Sequence, residues 1–176
     1  MFFTWGARLG GPSLDDTASD VAVHKDATYL VGTQRGSGAG RVVVSRYDDA
    51  KGKRDWKRLV RTPTDDEAAG VSAGAFGAVV LADTAAGVWV SRFSPKGELV
   101  WSRPSTDFEG LGAASGLGIE VIRRTVVVVG AAEGASSRGG DARMIGRLSL
   151  KDGAADGFTV DTAGADSAWT EAARLG

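Results

Sequence analysis

The chain is 176 residues long, a length that fits one domain with a sizeable core. Its 21 Lys+Arg nearly cancel its 22 Asp+Glu, which argues against a nucleic-acid protein with a broad basic face, and the absence of Cys excludes disulfides, thiolate metal sites and a cysteine nucleophile. The single histidine, His24, excludes a multi-histidine zinc site, and no apolar run reaches the ~18 residues of a membrane-spanning helix.

The opening Met1-Phe2-Phe3-Thr4-Trp5 has no basic region followed by an apolar stretch, so it does not read as a signal peptide. Residues 3–5 read instead as the last strand of a preceding unit. From there the chain repeats itself. Residues 20–32 (DVAVHKDATYLVG), 70–82 (GVSAGAFGAVVLA) and 118–130 (GIEVIRRTVVVVG) align without a gap, their starts 50 and 48 residues apart. Each window alternates apolar and polar positions, turns on polar or small residues and ends in a β-branched run, the pattern of a two-strand hairpin. His24 falls in the first of these turns and reads as a solvated side chain.

A loop of small residues follows each window. Then comes a third strand, RVVVSRY at 41–47, GVWVSRF at 87–93 and RMIGRL at 143–148. A fourth strand lies beyond a Gly-containing turn and carries a large aromatic residue: Trp56, Trp101 and Phe158. The reading is four strands per unit, with residues 1–14 as the last strand of a preceding unit, 15–64, 65–112 and 113–163 as full units, and 164–176 as the first strand of another. No stretch shows convincing helical periodicity.

Such a pattern predicts an all-β chain, a β-propeller or partial propeller of four-stranded antiparallel blades with about three and a half repeats. A four-stranded sheet with two apolar faces covers neither alone, so each unit must pack on its neighbours, with the last-strand aromatic between them. A two-sheet sandwich is the competing architecture, but it does not require the same order of elements three times. Three and a half units suit either part of a longer propeller or a protomer completed by association.

The first unit, with Trp5-Gly6-Ala7-Arg8-Leu9-Gly10-Gly11, Asp15-Asp16, Val21-Ala22-Val23, Tyr29-Leu30-Val31-Gly32-Thr33, Arg46-Tyr47-Asp48, Gly52 and Trp56, resembles the SBBP repeat, a propeller repeat of bacterial exported and surface proteins. The segment Tyr47 to Trp56 is also similar to the tryptophan-docking turn of quinoprotein-like propellers. The chain departs from SBBP units at the first turn, where they carry a Gly-Asn type and this chain has His24-Lys25-Asp26-Ala27, Gly74-Ala75-Phe76-Gly77 and Ile122-Arg123-Arg124-Thr125. The resemblance implies a propeller fold and an exported, periplasmic or cell-surface setting. Its repeat residues are architectural, so it implies no catalytic residue.

Candidate sites are weighed against structural roles. Asp15, Asp16, Asp65 and Asp66 are the weak metal candidates, but they lack the alternating spacing of a calcium loop and suit turn capping. Asp166 is a later acidic candidate of the same kind. Arg46, Arg92 and Arg147 occupy equivalent third-strand positions, where they either ring an acidic ligand near the axis or cover apolar surface with their stems. Trp5, Trp56, Trp101 and Phe158 read as the packing aromatics of the repeat. Trp89 and Trp169 fall outside that register and are the surface binding candidates.

The Gly-rich stretches at 35–40 and 134–140 lack the phosphate-loop pattern and read as variable loops at one end of the units. The leading expectation is a non-catalytic binding or scaffold module without a cofactor. Its partner would be another protein or further copies or segments of the same propeller, with no nucleic acid and no membrane span. A cofactor-binding or catalytic propeller of quinoprotein-like or lyase type, and an architectural segment of a larger surface protein, are the alternatives. A bound quinone or metal, seen by absorbance and mass spectrometry, would separate the catalytic reading from the others.

Overall fold

The computed structural model describes residues 15–35, 39–60, 62, 65–107, 114–133 and 141–161. These form twelve strands in chain order: β1 Asp15–His24, β2 Ala27–Arg35, β3 Arg41–Asp48, β4 Lys53–Leu59, β5 Asp66–Gly74, β6 Gly77–Thr84, β7 Gly87–Phe93, β8 Leu99–Pro104, β9 Ala114–Ile122, β10 Thr125–Ala132, β11 Ala142–Ser149 and β12 Ala155–Asp161. A 3-10 turn at Ser105–Asp107 follows β8, and the described residues contain no α-helix. The strands make three antiparallel sheets, each a simple meander: sheet 1 is β1-β2-β3-β4, sheet 2 is β5-β6-β7-β8 and sheet 3 is β9-β10-β11-β12.

The register repeats from sheet to sheet. Tyr29 pairs with Arg46, Val79 with Arg92 and Val127 with Arg147, so the three arginines are structurally equivalent. Each first strand carries a slip: between Ala18 and Asp20, between Ala68 and Gly70, and opposite Val129 and Gly130. Such bulges bend the strand locally and increase its twist.

Burial explains the strand composition. Ala78, Val80 and Ala82 of β6 pack with Tyr29, Val31, Val42, Val44, Trp56 and Phe93 between sheets 1 and 2. The alternate residues Val79 and Leu81 pack with Val90, Trp101, Ile119, Val126, Val128, Met144 and Leu148 between sheets 2 and 3. With a sheet on each side, β6 is apolar at successive positions, as a doubly covered strand must be. The outer strand β4, Lys-Arg-Asp-Trp-Lys-Arg-Leu, buries Trp56 and carries five charged residues, most of them exposed, which discourages edge pairing. Sheets meet through β1 on β5 and β5 on β9, so the first strand of each unit is the inner one.

Candidate functional site

The most elaborate polar construction joins neighbouring sheets. Trp56 of β4 is buried, and its indole Nε1 donates to the Pro95 carbonyl of sheet 2 at 3.0 Å. Trp101 of β8 repeats this on sheet 3, donating to the Leu150 carbonyl at 3.0 Å. Each indole lies against a glycine of the turn that receives it. A Cβ on Gly97 would meet Trp56 Cδ2 at 2.7 Å, and one on Gly153 would meet Trp101 Cε3 at 2.7 Å. Both glycines have positive φ, 79° and 71°, which lets the turn present a bare surface and a free carbonyl together.

Two residues beyond each tryptophan an arginine completes the clasp. Arg58 Nε donates to the Gly97 carbonyl at 2.8 Å, and Arg103 Nη2 to the Asp152 carbonyl at 3.3 Å. Arg58 also lies over the Trp56 ring, its Cζ 5.9 Å from the centroid. The Trp-x-Arg pattern is plain in the sequence at 56–58 and 101–103, but it has meaning only once the receiving turn is placed under it.

Nearer the inner strands the polar bridges are again equivalent. Thr33 Oγ1 accepts from the Ala68 amide at 2.9 Å, and Asp83 Oδ1, at the matching position of sheet 2, accepts from Gly116 N at 2.6 Å. Burial raises the Asp83 pKa, and the carboxylates of Glu67 and Glu133 add to the effect, while the Gly116 amide opposes it. Asp20 Oδ2 accepts from Val71 N at 2.8 Å, and Ser72 Oγ from Val121 N at 3.1 Å. These residues were absent from the sequence-based candidates, because a bridge to a backbone amide in the next unit has no local signature.

The three equivalent arginines have different surroundings. They stand on β3, β7 and β11, away from the inner strands, and their environments differ. Arg46 pairs with Asp55 and lies over the Tyr29 ring, 5.9 Å from its centroid. Arg92 Nη1 donates to the Leu150 carbonyl at 2.7 Å, sharing that oxygen with Trp101. Arg147 is exposed. The first two are therefore used between strands and sheets.

Two of the acidic candidates, Asp16 and Asp65, bind backbone amides through their side chains. Asp16 Oδ1 accepts from the Arg35 amide at 3.1 Å, and Asp65 Oδ1 from the Gly40 amide. Asp66 is buried at 2 % exposure, with its amide donating to the Gly40 carbonyl at 3.2 Å. Asp15 begins β1. Among the described residues, no group of three or more His, Asp or Glu side chains is placed to hold a metal ion.

Three expectations need correction. Phe158 is not the third member of the aromatic series. Trp56 and Trp101 sit opposite Arg46 and Arg92, whereas Phe158 pairs with Gly146, and the register slips before Leu148. A shift of one residue reverses the face, so Phe158 packs back toward sheet 2, over Gly146. Trp89 is not a free surface indole either; it is half-buried against the core between sheets 1 and 2, and its Nε1 donates to Ser102 Oγ. His24 closes β1 rather than occupying the turn, and its Nε2 is buried without a hydrogen-bond partner. Trp5, Asp166 and Trp169, and most of the Gly-rich stretches at 36–38 and 134–140, lie outside the described residues.

Among the described residues no helix is long and apolar enough to cross a membrane. No family model and no curated protein matches the chain. Among solved structures it is similar to the acylaminoacyl peptidase of Pyrococcus horikoshii, at 12% identity and a TM-score of 0.52, over 83% of this chain and 25% of that one. The chain thus spans a quarter of the length of that enzyme, which carries a propeller domain. At this identity the likeness concerns the fold alone: three four-stranded antiparallel sheets in a propeller-like, all-β arrangement.

Proposed function

We propose that the three sheets are propeller blades and that the chain is a non-catalytic binding or scaffold module, presenting its inter-strand loops to a protein partner. The observation that carries this reading is the use of the repeat's polar side chains in assembly. Trp56, Trp101, Arg58, Arg103, Arg92, Thr33 and Asp83 all bond to backbone of the next sheet. A framework fixed in this way leaves the loops between second and third strands free to vary without loss of packing. The SBBP resemblance adds an exported or surface setting to the proposal.

The test replaces residues 36–38 and 134–140 with Gly-Ser segments of equal length and compares cross-linking to proteins of the source cell. Loss of a cross-linked partner with an unchanged melting temperature supports the reading. Undiminished cross-linking, or purified protein that carries a chromophore or turns over a small substrate, overturns it.

A further inference from the structure

We infer that the outer rim where sheets 1 and 2 meet is a docking surface for an anionic lipid membrane, which it touches from one side. Residues 51–58 hold five of the chain's 21 Lys+Arg and one of its 22 Asp+Glu, in a chain whose net charge is -1. Lys53, Arg54 and Arg58 are exposed on β4, with Lys57 half-buried beside them. Exposed Lys96 joins them from sheet 2, because the bond from Arg58 Nε to the Gly97 carbonyl brings the two segments together. The carboxylates on the same two segments are Asp55, which pairs with Arg46, and Glu98, and they leave the rim positive.

Protection of a sheet edge does not require this much positive charge. Of the equivalent outer strands, β8 holds one basic residue and β12 holds none. The basic character of β4 therefore belongs to sheet 1 and not to the repeat.

Large apolar side chains stand at the same rim. Leu59, Leu99 and Val100 are 46%, 51% and 45% exposed. Leu59 follows Arg58 directly, and Leu99 lies two residues beyond the Gly97 that Arg58 binds. Basic side chains set around exposed aliphatic ones suit a membrane surface, where anionic headgroups take the charge and the acyl boundary takes the apolar groups. A soluble polyanion gains nothing from Leu59, Leu99 and Val100. Nor does β4 offer a stacking platform for nucleic-acid bases, since Trp56, its aromatic residue, is buried in a clasp.

The experiment sediments the full chain with vesicles of phosphatidylcholine alone and of phosphatidylcholine mixed with phosphatidylserine. Binding is expected to the mixed vesicles and not to the neutral ones, and to weaken as salt is raised. Lys53→Gln combined with Arg54→Gln should weaken it by about 10-fold or more, and Leu99→Ser combined with Val100→Ser by about 5-fold or more. All four side chains are exposed, so both double variants should melt with the unmodified protein. Replacement of the inter-strand loops, which tests the protein partner proposed above, should leave vesicle binding in place, so the two proposals fail separately. The membrane assignment is overturned if the unmodified protein ignores the mixed vesicles or binds both kinds equally, a result that needs no variant. It is overturned too if either folded double variant binds as the unmodified protein does. Loss with the charge variant alone, together with equal binding to dextran sulfate, assigns the rim to a soluble polyanion instead.

Discussion

Gly97 lies beneath the indole of Trp56, so close that a methyl group in place of its α-hydrogen would stand 2.7 Å from Cδ2. The contact joins two units 41 residues apart in sequence. It depends on the left-handed backbone that lets the turn pass under the ring. Gly97→Ala meets two costs, the positive φ and the overlap, each about 1 kcal/mol or more. A loss of ~2 kcal/mol or more in urea unfolding is expected, and the same for Gly153→Ala against Trp101. A change below ~0.5 kcal/mol at either position would show that the turns yield and that the clasps are not rigid.

The equivalent arginines are expected to behave unequally. Arg92→Met removes a charge-assisted bond to Leu150, which Trp101 then holds alone, and should cost ~1–3 kcal/mol. Arg147→Met alters an exposed position and should stay within ~0.5 kcal/mol. Thermal and urea melts of both variants check this. Equal and small effects would reopen a ligand-binding role for the series.

Much of the fold was legible because it is periodic. Alternation in 20–32, 70–82 and 118–130, repeated at nearly constant spacing, located the hairpins. The β-branched runs within β6 and β10 marked the second strands of their hairpins. The polar function of the repeat was less legible. Arg46 and Arg92 align in sequence, yet one finds Asp55 in its own sheet and the other a carbonyl in the next, a difference set by tertiary placement. Phe158 misled because counting residues across a turn cannot detect a register slip, and one residue decides which face a side chain takes. Thr33 and Asp83 escaped notice for a related reason: their partners are amides far away in sequence.

Asp83 gives the chain a predictable pH response. Its folded pKa is raised above the ordinary 3.8, first by burial and then by Glu67 and Glu133, so the folded state holds the proton more tightly than the unfolded state. Its favourable contribution is fully present below the unfolded pKa and is lost as pH rises through the raised folded value. At neutral pH the ionised group works against folding. Asp83→Asn keeps an oxygen to accept from Gly116 N and removes the charge. Its melting temperature is expected to exceed that of the unmodified protein at pH 7, with the gap narrowing toward pH ~4. A gap independent of pH, or a variant less stable at pH 7, would contradict this assignment.

The first hairpin turns offer the clearest route to a more stable chain. Lys25 and Arg123 have φ of 54° and 58°, a left-handed conformation that costs a side-chain-bearing residue about 1–2 kcal/mol. Glycine removes that cost but loses about 0.5–1 kcal/mol through the freedom of the unfolded chain. Lys25→Gly and Arg123→Gly should therefore each stabilise by ~0.5 kcal/mol, read as a higher urea midpoint at unchanged slope. Gly77, which ends the matching turn of sheet 2 at φ 100°, sets the opposite limit, because a Cβ there would run into the Phe93 carbonyl. Gly77→Ala is expected to destabilise by ~2 kcal/mol or more. If all three substitutions move stability in the same direction, positive φ is not what distinguishes these turns.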